Sequence, residues 1–423
     1  MRKWLTGILI FLLACSSITA AMADNDSYSK RGTLKKHTKF RLGVEVLLQD
    51  KLNLLKGKRV GLITNPTGVD QKLTSIVDLF WKNPNVNLTA LYGPEHGVRG
   101  SAQAGDYVEY YTDEKTGLPV YSLYGKTKKP TSEMLKNVDV LVFDIQDAGA
   151  RYYTYIYTMA LAMEAAKENH IPIIVLDRPN PLGGEKVEGP VLEEKYSSFI
   201  GEYAIPVRHG MTVGELADLF NKEFGIGADL TVVKMEGWKR EMYYDNTPLQ
   251  WVLPSPNMPT LDTAEVYPGA ALIEGTNISE GRGTTKPFEL IGAPFIDGDK
   301  LADTLNALDL PGVEFRSASF IPTFSKHVNL LTHGIQIHVT DRRYYKSFET
   351  GLQIVKTIHD MYPGQFAFRT PAANNISYFD NLTGSGLIRK GIEEGKTVAE
   401  MKAEWQGGLD NFMKIRKKYL LYK

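Results

Sequence analysis

Four times in the first half of the chain an apolar, β-branched run stops at a cluster of polar residues. The runs are RVGLITNPTG, reaching Asn65; NLTALYGPEHGVRG, reaching Glu95; VDVLVFDIQDAGAR, reaching Asp144 and Asp147; and IPIIVLDRPNPLGG, reaching Asp177. Apolar runs without alternation suit strands buried on both faces of a parallel sheet, and open α/β sheets bind ligands beyond the carboxyl ends of their strands. All four polar clusters are therefore expected to line one crevice. Between them strands alternate with helical stretches. The spacing predicts strands over Lys58–Asn65, Asn87–Tyr92, Pro119–Tyr124, Val138–Ile145 and Ile171–Leu176, and helices over Leu73–Trp81, Thr131–Lys136 and Tyr153–Glu168. In the last of these, Ile156, Met159, Ala160, Met163 and Ala166 recur close to every 3.6 residues. The order is that of a doubly wound α/β sheet.

After Asp177 a Gly/Pro-rich passage leads to Thr212, which is placed to cap the next helix with Glu215 three residues on. A second, smaller α/β region then offers strands at Leu230–Met235, Ala271–Glu274, Val313–Phe320 and Ile335–Val339, and a long helix around Phe348–Tyr362. The expected division is a leader over 1–23, a polar, Lys-rich lead-in over 24–41, an N-terminal domain over 42–210 and a C-terminal α/β domain over 211–423. The active-site cleft is expected between the last two.

The opening, MRKWLTGILIFLLACSSITAAMADND, has a basic start, an apolar stretch and a small-residue site ending at Ala23, the make-up of a secretory signal peptide. The sole cysteine, Cys15, lies within it, so cleavage after Ala23 leaves a thiol-free chain; Leu12 to Cys15 also reads as a lipoprotein box. Either route places the protein outside the cytoplasmic membrane, as a secreted or lipid-anchored protein. Charge adds an exclusion: Lys+Arg and Asp+Glu are both 49, with no broad basic face for nucleic acid. The basic tail, with Lys414, Arg416, Lys417, Lys418 and Lys423, reads first as a solvated helix face.

Several chemistries fail on spacing. Gly281-Arg282-Gly283 lacks the third glycine of a dinucleotide fingerprint, and Gly391 to Thr397 is one residue short of a P-loop. No metal-ligand spacing, serine elbow or mature-chain thiol is present, so neither metal nor nucleotide cofactor is expected. What remains is a carboxylate-rich crevice. Glu95 stands in Gly93-Pro94-Glu95-His96-Gly97-Val98-Arg99-Gly100, where glycines allow a sharp turn, and a carboxyl group held there and partly shielded from water suits a general acid. The blander alternative is a turn carboxylate paired with Arg99. Asp144, Gln146, Asp147 and Arg151 form a second cluster and Asp177, Arg178 and Asn180 a third, each open to reading as ligand groups or as an internal ion-pair network. Tyr152, Tyr153, Tyr155 and Tyr157 read as helix core before they read as a sugar-stacking ring. In the second region, Glu274, Asn277, Glu280 and Arg282 crowd a Gly-rich loop suited to closing the crevice.

The motifs LITNPTGVD, LYGPEHGVRG, DIQDAGARYYTYIYTM, LDRPNPLGG, PVRHGMTVGELA, LPSPNMPT and EGTNISEGRGTTKPFELIGAPF together resemble the secreted exo-β-N-acetylmuramidases of bacilli and related bacteria, from about Leu42 to Tyr422. The resemblance implies a Rossmann-like N-terminal domain that carries no nucleotide. It implies removal of terminal N-acetylmuramic acid from the non-reducing ends of peptidoglycan fragments in cell-wall turnover and recycling, alongside a secreted N-acetylglucosaminidase and an amidase. It also places the family's proposed catalytic glutamate on Glu95. Asp144 or Asp147 is expected to assist, with Arg99, Arg151 or Arg282 holding the lactyl carboxylate. Asn65, His96, Gln146, Asp177, Arg178, Asn180, Asn277 and Glu280 are the further candidates for substrate binding. Two alternatives stay open on the residues alone: a non-catalytic muropeptide-binding protein, and a hydrolase or transferase of another amino-sugar conjugate.

Overall fold

The computed structural model describes residues 40–100, 110–369 and 376–423. The expected leader and the lead-in up to residue 39 lie outside the described residues. The described chain is already anchored at Arg41, whose backbone bridges Glu236 and whose side chain also meets Glu236 at 2.6 Å.

Among the described residues twelve strands build a mixed α/β protein: β1 (Arg59–Thr64), β2 (Asn87–Gly93), β3 (Tyr111–Thr112), β4 (Pro119–Ser122), β5 (Val140–Asp144), β6 (Ile173–Leu176), β7 (Glu188–Val191), β8 (Pro206–Arg208), β9 (Leu230–Val233), β10 (Leu290–Ala293), β11 (Val313–Phe320) and β12 (Thr332–Val339). Seven form one sheet in the order β3-β4-β2-β1-β5-β6-β9, parallel except for the β3–β4 pair. Its central strands are buried on both faces, as their unbroken apolar runs require. Successive side chains in a strand point to opposite faces, so each run feeds two cores. Val60, Leu62, Val140, Val142, Ile174 and Leu176 join the helices Gly43–Asp50 and Ile76–Lys82 on one side. Ile63, Leu141, Phe143, Ile173 and Val175 join Tyr155–Glu168 and Val213–Lys222 on the other.

The predicted strands and helices of this sheet appear within a few residues of their expected limits. The capping box forms: the Thr212 hydroxyl accepts from the Glu215 amide at 3.3 Å, and the Glu215 carboxylate accepts from the Thr212 amide at 3.1 Å. Two expectations need correction. Leu230–Met235, expected in the second region, supplies β9 and closes the edge of the first sheet. Ala271–Glu274, expected as a strand, lies in a 3-10 helix over Ala271–Gly275 that continues the helix Leu261–Ala270; short apolar runs fit either state.

The remaining strands make an antiparallel sheet, β10-β12-β11, and a β7–β8 pair. Beside them the helices Leu261–Ala270 and Ser347–Met361 meet backbone to backbone. A Cβ on Gly269 would lie 1.9 Å from the Ser347 carbonyl oxygen, and one on Gly351 would lie 2.2 Å from the Gly269 carbonyl carbon. Only glycine fits at that crossing. The basic tail is docked rather than wholly solvated, because the buried Arg416 donates to the carbonyls of Gly184 and Gly210. No helix among the described residues is long and apolar enough to cross a membrane.

Candidate active site

The turn after β2 is tight because its residues leave no alternative. A Cβ on Gly93 would lie 2.8 Å from the Val98 amide nitrogen, and the Gly97 amide donates to the Pro94 carbonyl at 2.9 Å. His96 and Gly97 both take left-handed backbone, with φ of 72° and 74°. Such a conformation in a non-glycine residue stores strain and is typical of functional sites. The turn buries His96 and leaves Glu95 half-buried on the wall of a cavity of about 230 Å³. Tyr124 shares that wall, and its phenol is pushed above the usual range by burial, then by the charge of Glu95 and a hydrogen bond to it.

Tyrosines make much of the rest of the lining. Tyr152, Tyr153 and Tyr155 enter from the turn that starts the helix Tyr155–Glu168, and Tyr267 and Tyr378 from the second half of the chain. Their rings pack edge to face: Tyr153 against Tyr155 at 5.1 Å, and Tyr152 and Tyr153 against Tyr267 at 5.5 and 5.7 Å. Backbone carbonyls fix two of them, since Tyr152 donates to Pro268 and Tyr155 to Pro254. Tyr157, by contrast, is core, stacked on Phe220.

A second carboxylate, Glu274, also lines the cavity and accepts from Arg282 at 2.8 Å. Arg282 is shared with Glu280 at 3.3 Å, and Glu280 meets Lys326 at 2.8 Å. Lys326 in turn donates to the carbonyls of Ile273, Thr276 and Ile278. Glu274 and Arg282 also face a neighbouring cavity of about 480 Å³, lined further by Asn277 and Glu280.

Of the residues singled out in the sequence, Glu95, His96 and Arg282 therefore line the Glu95 cavity, and Asn277 and Glu280 the one beside it. Others are committed elsewhere. Asp144 is buried and gripped through both oxygens by Arg178, at 2.6 and 2.8 Å, so the expected catalytic assistant is half of an internal ion pair. Asp177 accepts from the Arg178 and Gly214 amides, the Thr212 hydroxyl and Tyr422, and burial pushes its carboxyl up to about 7. Asn180 ties Leu182 to Met211. Arg151 is fully buried, donates to the carbonyls of Pro190, Ile205 and Leu382, and is lowered to about 10 by burial. Arg99 turns away to Asp113, at 2.9 and 3.1 Å. Neither of these arginines lines the cavity.

A third group lies buried at the carboxyl ends of β1 and β5 with hydrogen-bonding capacity unused by the described protein. Asn65 accepts through Oδ1 from the Thr67 amide and hydroxyl while its Nδ2 has no partner. Gln146 Nε2 donates to the carbonyls of Asp147 and Pro179, leaving Oε1 without one. Asp147 Oδ2 accepts from the Gly149 amide and faces His209 Nε2 at 3.3 Å, leaving Oδ1. Sequence reasoning put Glu274 in the loop suited to closing the crevice but gave it no role of its own, and it read the tyrosines as helix core before a sugar-stacking ring. The signal was present in the Tyr152–Tyr157 run directly after Asp147, but periodicity favoured core. Among the described residues no group of three His, Cys, Asp or Glu is placed to hold a metal ion.

A small polar cavity with two carboxylates, walled by tyrosines and built on the carboxyl edge of a parallel sheet, is the layout of an α/β protein that takes a small polar molecule at its strand ends. The family follows from the sequence as a whole. Residues 60–262 match the family description "Exo-beta-N-acetylmuramidase NamZ, N-terminal" and residues 265–422 match "Exo-beta-N-acetylmuramidase NamZ, C-terminal", and the chain belongs to this family. It is 61% identical over 422 residues to the peptidoglycan beta-N-acetylmuramidase NamZ of Bacillus subtilis (strain 168), covering all of both chains. Two crystal structures of DUF1343 family proteins from Bacteroides fragilis share the fold. One has a TM-score of 0.85 at 45% identity, over 91% of this chain and all of that one; the other has 0.73 at 32%, over 91% and 99%.

Proposed function

We infer that the protein is an exo-acting β-N-acetylmuramidase that releases terminal N-acetylmuramic acid from the non-reducing ends of peptidoglycan fragments. Full-length identity of 61% to a peptidoglycan β-N-acetylmuramidase supports the activity. The observation that carries the mechanism is Glu95, presented by a strained turn on the wall of a tyrosine-lined cavity. At about 230 Å³ that cavity falls below the usual range for drug-sized ligands and suits one sugar ring rather than a glycan strand, which fits end-trimming.

In this reading Glu95 protonates the glycosidic oxygen as the aglycone leaves. Glu274 replaces Asp144 as the second carboxylate facing the sugar, with Arg282 orienting it; the substrate's own acetamido oxygen is the competing nucleophile. Tyr152, Tyr153 and Tyr267 pack on the apolar face of the ring. The chain works as a Rossmann-like sheet layer and a smaller α/β region with the cleft between them, needs no metal or nucleotide, and binds no nucleic acid. It acts outside the cytoplasmic membrane, at the cell wall, on fragments prepared by an N-acetylglucosaminidase and an amidase. Hydrolysis of a synthetic N-acetylmuramic acid glycoside, set against the N-acetylglucosamine analogue, tests the reading. Release of the muramic sugar by the wild type and not by Glu95→Gln is the expected result; no release, or equal release from both glycosides, would overturn it.

A further inference from the structure

A muramic sugar differs from N-acetylglucosamine by a lactyl carboxylate, and a cation at the pocket that is not already neutralised is the strongest way to discriminate between them. The three arginines suggested by the sequence are poor donors for it. Arg99 is held by Asp113, Arg151 by three carbonyls, and Arg282 is shared between Glu274 and Glu280.

Lys128 is differently placed. Its ammonium lies 3.8 Å from the centre of the Phe199 ring, and Phe199 lines the Glu95 cavity. The charges that bear on it are Glu202 and Glu95. Among the described residues no carboxylate lies within ion-pair distance of it, whereas its neighbour Lys129 is held by Glu168 at 2.6 Å and Glu164 at 3.4 Å. Glu202 is a weak counter-charge: one of its oxygens is buried without a partner, and burial, then the Glu164 charge, push its carboxyl up to about 7. Burial also draws the Lys128 ammonium below the usual lysine range. A partly desolvated cation stacked on an aromatic ring, with no direct anionic partner, gains from an incoming carboxylate.

We propose that Lys128 is the specificity residue that receives the lactyl carboxylate of the muramic sugar at the Glu95 side of the cavity. The assignment rests on the muramidase reading. The Phe199 ring holds the ammonium in place, and the new charge-assisted bond forms only with a sugar that carries the lactyl group.

The test uses the secreted protein, a chromogenic N-acetylmuramic acid glycoside, and free N-acetylmuramic acid and N-acetylglucosamine as competing ligands. Lys128→Met keeps an unbranched apolar side chain of similar size beside Phe199 and removes the charge. Expected are a rise in KM of about 10–100-fold with a smaller change in kcat, and an equal weakening of inhibition by free N-acetylmuramic acid. Inhibition by N-acetylglucosamine should stay at the wild-type level, and Lys128→Arg should recover part of the lost affinity. Unchanged binding of N-acetylmuramic acid by Lys128→Met, or equal weakening for both sugars, would overturn the assignment. Thermal melting confirms that the variants are folded. A wild-type protein that released no muramic sugar would instead sink the function itself, so the two failures are distinguishable.

Discussion

The strand ends of β2 and of β5 and β6 carry the same kinds of residue, a carboxylate with an arginine within a few positions, yet they do opposite work. Beyond β5 and β6, Asp144 and Arg178 are almost wholly buried and neutralise each other, and Asp177 joins the sheet edge to the helix Val213–Lys222 and the C-terminal tail. Beyond β2, the arginine is drawn off to Asp113 and Glu95 is left on the cavity wall. The difference lies in who reaches the carboxylate first. At β5 and β6 partners arrive from neighbouring strands and close the polar edge, whereas the Gly93–Gly97 turn lifts Glu95 clear of the sheet.

The largest effect should separate these two ends. Glu95→Gln takes away the proposed proton donor and little volume, so turnover should fall by about 10²–10⁴-fold with an unchanged melting temperature. Asp144→Asn should do the reverse. Removing one partner of a buried ion pair leaves the other charge uncompensated and costs about 3–5 kcal/mol, seen as a lower denaturation midpoint. The protein that remains folded should keep near wild-type kcat. A folded Asp144→Asn variant without activity would return that carboxylate to the catalytic site.

Asp177 makes the same contrast visible through pH. Its carboxyl is raised from the ordinary aspartate value to about 7, chiefly by burial. The folded state therefore binds the proton more tightly than the unfolded state. The resulting stability is fully present below the ordinary carboxylate range and is lost as pH rises through about 7, at up to about 1.4 kcal/mol per pH unit. Melting temperatures from pH 5 to 8 should fall more steeply for the wild type than for Asp177→Asn. Parallel profiles would show that the group titrates normally.

The sequence made the sheet legible because a strand buried on both faces has little choice but an unbroken apolar run, and β1, β2, β5 and β6 each have one. It made Glu95 legible because Gly-Pro-Glu-His-Gly is a turn whose chemistry is local. Partner choice was not legible. Asp144 finds Arg178 34 positions away, and Arg151 reaches Leu382 across 231. Nor do tyrosines at helical spacing announce which of them face a cavity: Tyr152, Tyr153 and Tyr155 do, and Tyr157 does not. The β9 run was recognised as a strand, but its sheet is decided by the helix Val213–Lys222 that returns the chain to β6.

The smallest effect is the sharpest test of where the cavity-facing end of β2 stops. Arg99 lies four residues from Glu95 and reads in the sequence as a partner for substrate, but its guanidinium holds Asp113 in a two-point contact and approaches Asp78 at 3.6 Å. Its side chain is one-third exposed, so the pair is screened by solvent. Asp113 keeps bonds from the Thr116 amide at 3.1 Å and hydroxyl at 2.8 Å when the arginine is gone. Arg99→Ala should therefore cost no more than about 1 kcal/mol of stability. It should leave KM for the muramic glycoside, and its preference over the N-acetylglucosamine analogue, within about twofold of wild type, since losing a charged hydrogen bond to substrate would cost far more. A collapse of that preference would show that Arg99 swings from Asp113 to the lactyl carboxylate when substrate binds, and the boundary between structural and functional charge at this strand end would move by four residues.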